Sequence, residues 1–227
     1  MVEALDDGGL DRGRVVLGEQ AQVEIHGGML ACNPGRVDHR GWMREAIARE
    51  GEAHGAALRG DAAGARAGYG RAIEAYRESW EAAPPTAYGR LVGLLKASVL
   101  AGAGAEDAAY VRAAIDDEAA AGSPTAAYAR AVAALVAGDD AEAARHASVM
   151  RVGSESFGRA AAAIEALARG DAAAYRDALG AIVHDFENRG EHLTGVAFAD
   201  TAAMLETLAA SRGVAVRPAS ALLPPVA

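Results

Sequence analysis

The sequence predicts an all-α single domain built from antiparallel helical hairpins, and three observations indicate this fold class. Alanine, which loses no side-chain entropy in a helix, is the commonest residue. No run of residues alternates with the period of two that would build a sheet. Spacings of about 42, 36 and 32 residues, typical of stacked hairpins, separate recurring turns between helical runs. These turns lie at Gly60-Asp61, Gly138-Asp139 and Gly170-Asp171, with a looser copy at Gly102.

The order of the chain suggests three segments. Residues 1–37 are expected to be irregular or partly helical, because pairs of glycines and Asn33-Pro34-Gly35 interrupt any pattern. Residues 38–213 form the helical, repeat-like domain. Residues 214–227 are expected to form an extended C-terminal tail that lies against the body or hangs free.

The clearest helix covers residues 62–81. Ala65, Tyr69, Ala72, Tyr76 and Trp80 recur at steps of three or four, which is one stripe of a 3.6-residue period. Eight or nine helices are expected in all. Their predicted ranges are 39–58, 62–81, 88–100, 106–120, 125–137, 141–151, 155–169, 172–188 and 193–211.

Several residues mark where these helices begin and end. Ser123 is a predicted N-cap with Pro124 at the first helical position. Gly190 is a predicted left-handed C-cap, and Gly213 is expected to close the last helix. The large side chains expected to be mostly buried are Tyr69, Tyr76, Trp80, Tyr175, Leu179, Phe186 and Leu208.

Charge and composition exclude several classes of function. A net charge of −9 argues against binding to nucleic acid, whose phosphates require Lys and Arg. The single cysteine, Cys32, permits no intrachain disulfide, and the acidic N-terminus lacks an apolar signal region. Charges or glycines interrupt every apolar stretch before it could span a membrane. We therefore expect a cytoplasmic protein that binds no membrane.

The segment around Gly60 resembles a tetratricopeptide repeat. In that pattern a Gly-Asp turn is followed by a small residue, an aromatic residue and another small residue, here Ala65, Tyr69 and Ala72. The later copies depart from it, and the Trp and Leu expected in the first helix of each repeat are absent. The resemblance therefore implies a tetratricopeptide-like array that is not regular.

The C-terminal residues 195–224 carry a narrower resemblance. Their sequence, GVAFADTAAMLETLAASRGVAVRPASALLP, is similar to the ending of the Imm49 family of immunity proteins. Members of that family resemble all-α proteins that close with an apolar helix, an Arg-Gly turn and a short segment ending in Leu-Pro. The resemblance implies a bacterial protein that neutralises a cognate toxin by binding it.

A metal site is the first chemistry to consider. His184 and Glu187 lie three residues apart and share a helix face, and His192 follows shortly after. A di-metal site would need a second Glu/His pair on a facing helix, and the sequence has none at that spacing. A polar helix end, with His184 near the C-terminus where the helix dipole favours a cation, is the better interpretation, and contact with a partner is the main alternative. No metal and no cofactor is predicted.

Nucleophilic catalysis has little support in the sequence. Residues 153–158 look superficially like a nucleophile elbow but follow no predicted strand. Cys32 has no activating neighbour in sequence, although His26 could approach it in space. We therefore predict a protein that is not an enzyme.

Three further features remain open. Trp42 lies on the first predicted helix, and its side chain belongs either to the core or to the rim. The acidic run Asp116, Asp117 and Glu118 is either a solvated face or a contact for a basic toxin surface. Asp200 falls within an apolar predicted helix, where it is expected to cap a neighbouring helix or to pair with an Arg; the alternative is a role in a functional pocket.

The leading hypothesis is an immunity protein that binds a toxin domain non-covalently, as a monomer or weak homodimer. Trp42, residues 116–118, His184, Glu187 and His192 are the candidate partner contacts. A tetratricopeptide-like adaptor that holds a peptide in a groove is the second hypothesis. The third is a helical ligand-binding protein or enzyme with a pocket near His184, Glu187 and His192.

Overall fold

The described part of the chain, residues 38–225 of a computed structural model, is all-α. It contains nine helices and no strand. The prediction of an all-α fold is thereby confirmed. The helices are α1 (His39–Leu58), α2 (Ala62–Glu81), α3 (Gly89–Leu100), α4 (Ala105–Ala114), α5 (Pro124–Ala137), α6 (Asp140–Met150), α7 (Glu155–Ala168), α8 (Ala172–Glu187) and α9 (Asp200–Ser211).

The helices pack as consecutive hairpins around an interior pair. The most extensive contacts join α1 with α2, α5 with α6, α2 with α3, and α7 with α8. Helix α3 contacts α2, α4, α5 and α9, and α9 also contacts α7 and α8. This packing is consistent with the predicted hairpin array, with α3 and α9 at its centre.

The recurring Gly-Asp pair has a local structural cause. Gly60, Gly138 and Gly170 all adopt positive φ, between 67° and 77°, which a residue without Cβ reaches at little cost. The aspartate after each glycine then accepts a hydrogen bond from a backbone N–H in the first turn of the next helix. At Gly102 no aspartate follows, and α4 begins without a side-chain cap. The pair therefore ends one helix and begins the next.

Small residues set the close approach of α1 and α2. A Cβ added to Gly68 would lie 2.8 Å from the Cβ of Ala53 and 3.1 Å from its Cα. Tyr69 and Tyr76 on the same helix are buried, as are Tyr175, Leu179, Phe186 and Leu208 elsewhere. Trp80 is partly buried and packs against the core, with its ring 5.9 Å from that of Tyr88.

Two predicted helix limits and one predicted cap were wrong. Helix α4 ends at Ala114 rather than near residue 120, because Ile115 is buried in an extended conformation and its carbonyl accepts a hydrogen bond from Arg130. Helix α9 begins at Asp200 rather than at residue 193, because Gly195 takes a positive φ in the preceding turn. Gly190 is not left-handed; Asn188 ends α8, and its side chain donates to the carbonyl of His184.

Residues 214–225 run along the surface without regular structure. The backbone N–H groups of Val216 and Arg217 donate to the Glu206 carboxylate on α9. Further on, the carbonyl of Leu222 accepts from the N–H of Ala199, just before α9. The predictions for residues 1–37, including the pairing of Cys32 with His26, lie outside the described residues. Within residues 38–225, no helix has both the length and the apolar character needed to cross a membrane.

Candidate functional site

A cavity of about 310 Å³ lies between α1, α3, α5, α7, α8, the start of α9 and the segment that connects α8 to α9. Its volume is at the lower end of the range found for small-molecule sites. Apolar side chains form much of its wall, among them Phe157, Phe186 and Phe198. Charged and polar groups are concentrated in two places, at an inner wall and at an outer edge.

An ion pair between α3 and α9 forms part of the inner wall. Lys96 Nζ lies 2.9 Å from Asp200 Oδ2 and donates to Thr201 Oγ1 at the same distance. Burial, the largest single influence, would lower the pKa of Lys96, but the charge and hydrogen bond of Asp200 together with the nearby Tyr128 and Glu50 outweigh burial and raise it. Burial would likewise raise the pKa of Asp200, yet the charge and hydrogen bond of Lys96 bring it below its usual value. Asp200 thus pairs with a lysine, and the prediction of an arginine partner or a capping role for a neighbouring helix was wrong.

Glu50 on α1 is the second buried carboxyl group of the inner wall. Its Oε2 accepts a hydrogen bond of 2.7 Å from the Tyr76 hydroxyl, whereas Oε1 has no partner among the described residues. Burial, followed by the charge of Asp200, raises the pKa of Glu50 to about 7. The carboxyl group is therefore protonated in a substantial fraction of molecules near neutral pH.

His54 lies one helical turn after Glu50 on the same face of α1. Its ring stacks on Phe198 with centroids 4.2 Å apart, and Nδ1 lies 3.2 Å from Thr194 Oγ1. Its Nε2 lies 3.9 Å from Glu50 Oε1 and has no partner within residues 38–225. Because burial lowers the pKa of His54 to about 4, the ring is neutral at pH 7.

The outer edge carries two arginines that share one carboxylate. Arg159 on α7 donates to Asp185 on α8 at 2.5 Å, and Arg189 donates to the other oxygen of Asp185. The guanidinium of Arg189 also lies 3.8 Å from the ring centroid of Phe186. His192 completes this edge, and its Nδ1 is buried without a partner in the described structure.

The cavity therefore contains polar atoms that are unsatisfied within the protein. Glu50 Oε1 and His54 Nε2 are close enough for one hydroxyl or amino group to lie within hydrogen-bond distance of both. A carboxyl group with a pKa near neutrality beside a neutral imidazole could also exchange protons with a ligand. Buried polar atoms without a hydrogen-bond partner beside a cavity are typical of binding sites, because most buried polar groups in proteins have a partner.

The structure brings only one of the predicted contact residues to this cavity, namely His192. His184 and Glu187 are exposed on α8, where Glu187 accepts from Ser220 of the tail. Trp42 is partly buried on α1 and packs against the core. Residues 116–118 are exposed in the connection between α4 and α5, where Asp116 accepts from the N–H of Ala119 and Asp117 pairs with Arg130.

Glu50, His54 and Lys96 were not among the residues predicted from the sequence. The signal available in the sequence was Glu50 and His54, spaced by four residues on one face of a helix that also carries small residues. Their partners are Tyr76 on α2, Thr194 in the connection before α9 and Asp200 on α9, all far away along the chain. In residues 38–225, no three His, Cys, Asp or Glu side chains are arranged to hold a metal ion.

Compared with protein-family profiles, with curated proteins and with solved structures, the chain has no match.

Proposed function

We propose that this protein is a non-catalytic immunity protein that binds a cognate bacterial toxin domain and blocks it by direct contact. The similarity of residues 195–224 to the ending of the Imm49 family supports this proposal. In the structure that segment comprises α9 and the tail, and it supplies Val196, Phe198, Asp200 and Thr201 to the cavity wall. The partner surface is proposed to surround the mouth of this cavity.

The observation that carries the location of this surface is a pair of exposed apolar side chains. Val152 and Leu193 are 74% and 72% exposed, and they are the large hydrophobic residues that stay in solvent within the described structure. Leu193 borders the cavity directly, and Val152 lies two residues before Ser154, which also borders it. Exposed apolar side chains flanked by charged groups are typical of the anchors of protein interfaces.

Charge supplies the second part of the proposal. The chain has a net charge of −9, so a toxin domain with a basic surface would be steered toward it. Asp116, Asp117 and Glu118 are exposed and available for such steering. Substituting all three by Asn, Asn and Gln should slow association while leaving the dissociation rate nearly unchanged. An unaltered association rate at low salt would count against a role for this run.

The experiment is co-expression with the product of the adjacent gene, followed by pull-down through a tag on that product. Leu193→Asp and Val152→Asp should each weaken capture by about tenfold or more, because each places a charge at an apolar contact. Ala67→Asp is the matched control, since Ala67 is exposed on α2 and does not border the cavity. Equal capture of all three variants would contradict the proposed surface.

A further inference from the structure

We propose that the cavity is a binding site for a small organic anion that also carries a hydroxyl or amino group. The anionic group would lie at the edge formed by Arg159, Arg189 and the start of α7. The hydroxyl or amino group would lie between Glu50 and His54. This site is separate from the partner surface proposed above, because its ligand is enclosed by the fold rather than held on the rim.

The inner wall provides the first argument. Glu50 and His54 both border the cavity and are 3% and 2% exposed, and each has one buried polar atom without a partner in the described structure. Leaving a buried donor or acceptor unsatisfied is unfavourable, so these atoms favour a ligand that meets them. In the tautomer whose Nδ1 donates to Thr194, His54 Nε2 is a free acceptor. One hydroxyl can then donate a hydrogen bond to His54 Nε2 and accept one from the protonated carboxyl group of Glu50.

The charge of the lining provides the second argument. Lys96, Arg159 and Arg189 line the cavity, whereas its charged acids are Asp185, Asp200 and the fraction of Glu50 that is ionised. Lys96 and Asp200 neutralise each other at 2.9 Å. The outer edge thus has two guanidinium groups that share Asp185. In a chain of net charge −9, this excess of positive charge favours an anion.

The arginines retain the capacity to bind a ligand. Asp185 receives Arg159 on one oxygen and Arg189 on the other. Each guanidinium has five N–H donors, so several remain for a carboxylate or a phosphate. Glu155 also lies 3.5 Å from Arg159, but its side chain is 94% exposed and its charge is screened by water.

The start of α7 adds donors at the same edge. Ser154 is the N-cap of this 14-residue helix, and its side chain makes no capping hydrogen bond. Ser154 and Ser156 both border the cavity. The first N–H groups of a helix lack intrahelical partners and carry partial positive charge, so they stabilise an anion. The helix start therefore reinforces the two arginines.

The space between the two ends is largely apolar. Phe157, Phe186 and Phe198 contribute to its wall, and the volume of about 310 Å³ accommodates a ring. The ligand class is accordingly an anionic head, an apolar body and a hydroxyl or amino group at the far end. Carboxylate and phosphate heads share this chemistry, so both must be tested.

The test is calorimetric titration of the full chain with four probes. These probes are 4-hydroxyphenylacetate, 4-hydroxybenzylphosphonate, phenylacetate without the hydroxyl, and the neutral alcohol 4-(2-hydroxyethyl)phenol. Both hydroxylated anions should bind at least about tenfold more tightly than the neutral alcohol, because only they use the arginines. The tighter of the two anions identifies a carboxylate or a phosphate as the natural head. Binding of the neutral probe with equal affinity, or no binding of any probe up to about 10 mM, would overturn the proposal.

Two variants test the two ends separately. Arg189→Gln should weaken both hydroxylated anions about tenfold, whereas Arg151→Gln should not, because Arg151 pairs with Glu165 and does not border the cavity. His54→Phe keeps a ring against Phe198 but removes Nε2. This variant should therefore bind 4-hydroxyphenylacetate and phenylacetate with the same affinity. Equal losses of anion affinity in Arg189→Gln and Arg151→Gln would refute the site, even if His54→Phe fails to fold. The pull-down described above is read independently, so the two proposals can fail separately.

Discussion

Glu50 and His54 should give the folding stability two opposing dependences on pH. Burial, with the charge of Asp200 next, raises the pKa of Glu50 from 4.5 to about 7. Between these values the native state keeps a proton that the unfolded chain has released, so stability falls as pH rises. Burial lowers the pKa of His54 from 6.5 to about 4. Between those values the unfolded chain holds the additional proton, so stability falls as pH decreases.

Each effect amounts to about 3 kcal/mol across its interval, since one pH unit of differential binding of one proton is worth about 1.4 kcal/mol. The two contributions overlap between about pH 4.5 and 6.5 and cancel there. In the wild-type protein this pair therefore adds little net slope. The groups that face Glu50 are His54 on α1, Tyr76 on α2, Lys96 on α3 and Asp200 at the start of α9.

Glu50→Gln isolates one of the two contributions. Its free energy of unfolding, measured by urea denaturation followed by circular dichroism, should rise relative to wild type by about 3 kcal/mol from pH 4.5 to 7. Subtracting the wild-type curve of unfolding free energy against pH removes the contributions of titratable groups that both proteins share. Glu52→Gln is the control, because Glu52 is exposed on the same helix and its ion pairs are worth less than about 1 kcal/mol. A Glu50→Gln difference that does not change with pH would refute the buried, protonated carboxyl group.

Three further predictions concern packing and charge. Tyr69→Ala should destabilise the fold by about 3 kcal/mol, as removal of a buried aromatic usually does, and an unchanged melting temperature would contradict its core position. Gly68→Ala should destabilise by about 1–3 kcal/mol because its Cβ meets α1, whereas Gly70→Ala, with open space around it, should stabilise by about 0.5–1 kcal/mol in urea titrations. Lys96→Met should cost up to about 3 kcal/mol by leaving the partly buried Asp200 carboxylate without its cation, and calorimetric unfolding at wild-type temperature would disprove that dependence.

The helices were predictable wherever local chemistry determines them. The limits of α1 and α2 match the predicted ranges, because a glycine with positive φ and a capping aspartate fix the turn between them. Ser123 and Pro124 likewise begin α5 as predicted. The errors arose where tertiary contacts override helix propensity. The α4 end is an example, because Ile115 leaves the helix to enter the core and Arg130, fifteen residues later, binds its carbonyl.

The candidate site was less predictable because it is assembled from distant parts of the chain. His54 meets Thr194 across 140 residues, and Lys96 meets Asp200 across 104 residues. The spacing of residues that are close in sequence does not indicate contacts between residues so far apart. The sequence identified Asp200 as unusual and His192 as a candidate, since a carboxylate among apolar residues and a histidine near a helix end can be recognised locally. The four-residue spacing of Glu50 and His54 was the available signal, and alone it does not show that their side chains are buried at a cavity.

The central claim is that the surface around the cavity mouth binds and neutralises a toxin, and a growth-rescue assay tests it most directly. Cells that express the adjacent gene product are supplied with wild-type protein, Leu193→Asp or the control Ala67→Asp, all at matched abundance. We expect growth with wild type and with Ala67→Asp. We expect loss of rescue with Leu193→Asp, because Leu193 borders the cavity. Equal rescue by all three would contradict the proposed surface, and no rescue by the wild-type protein would contradict the immunity function itself.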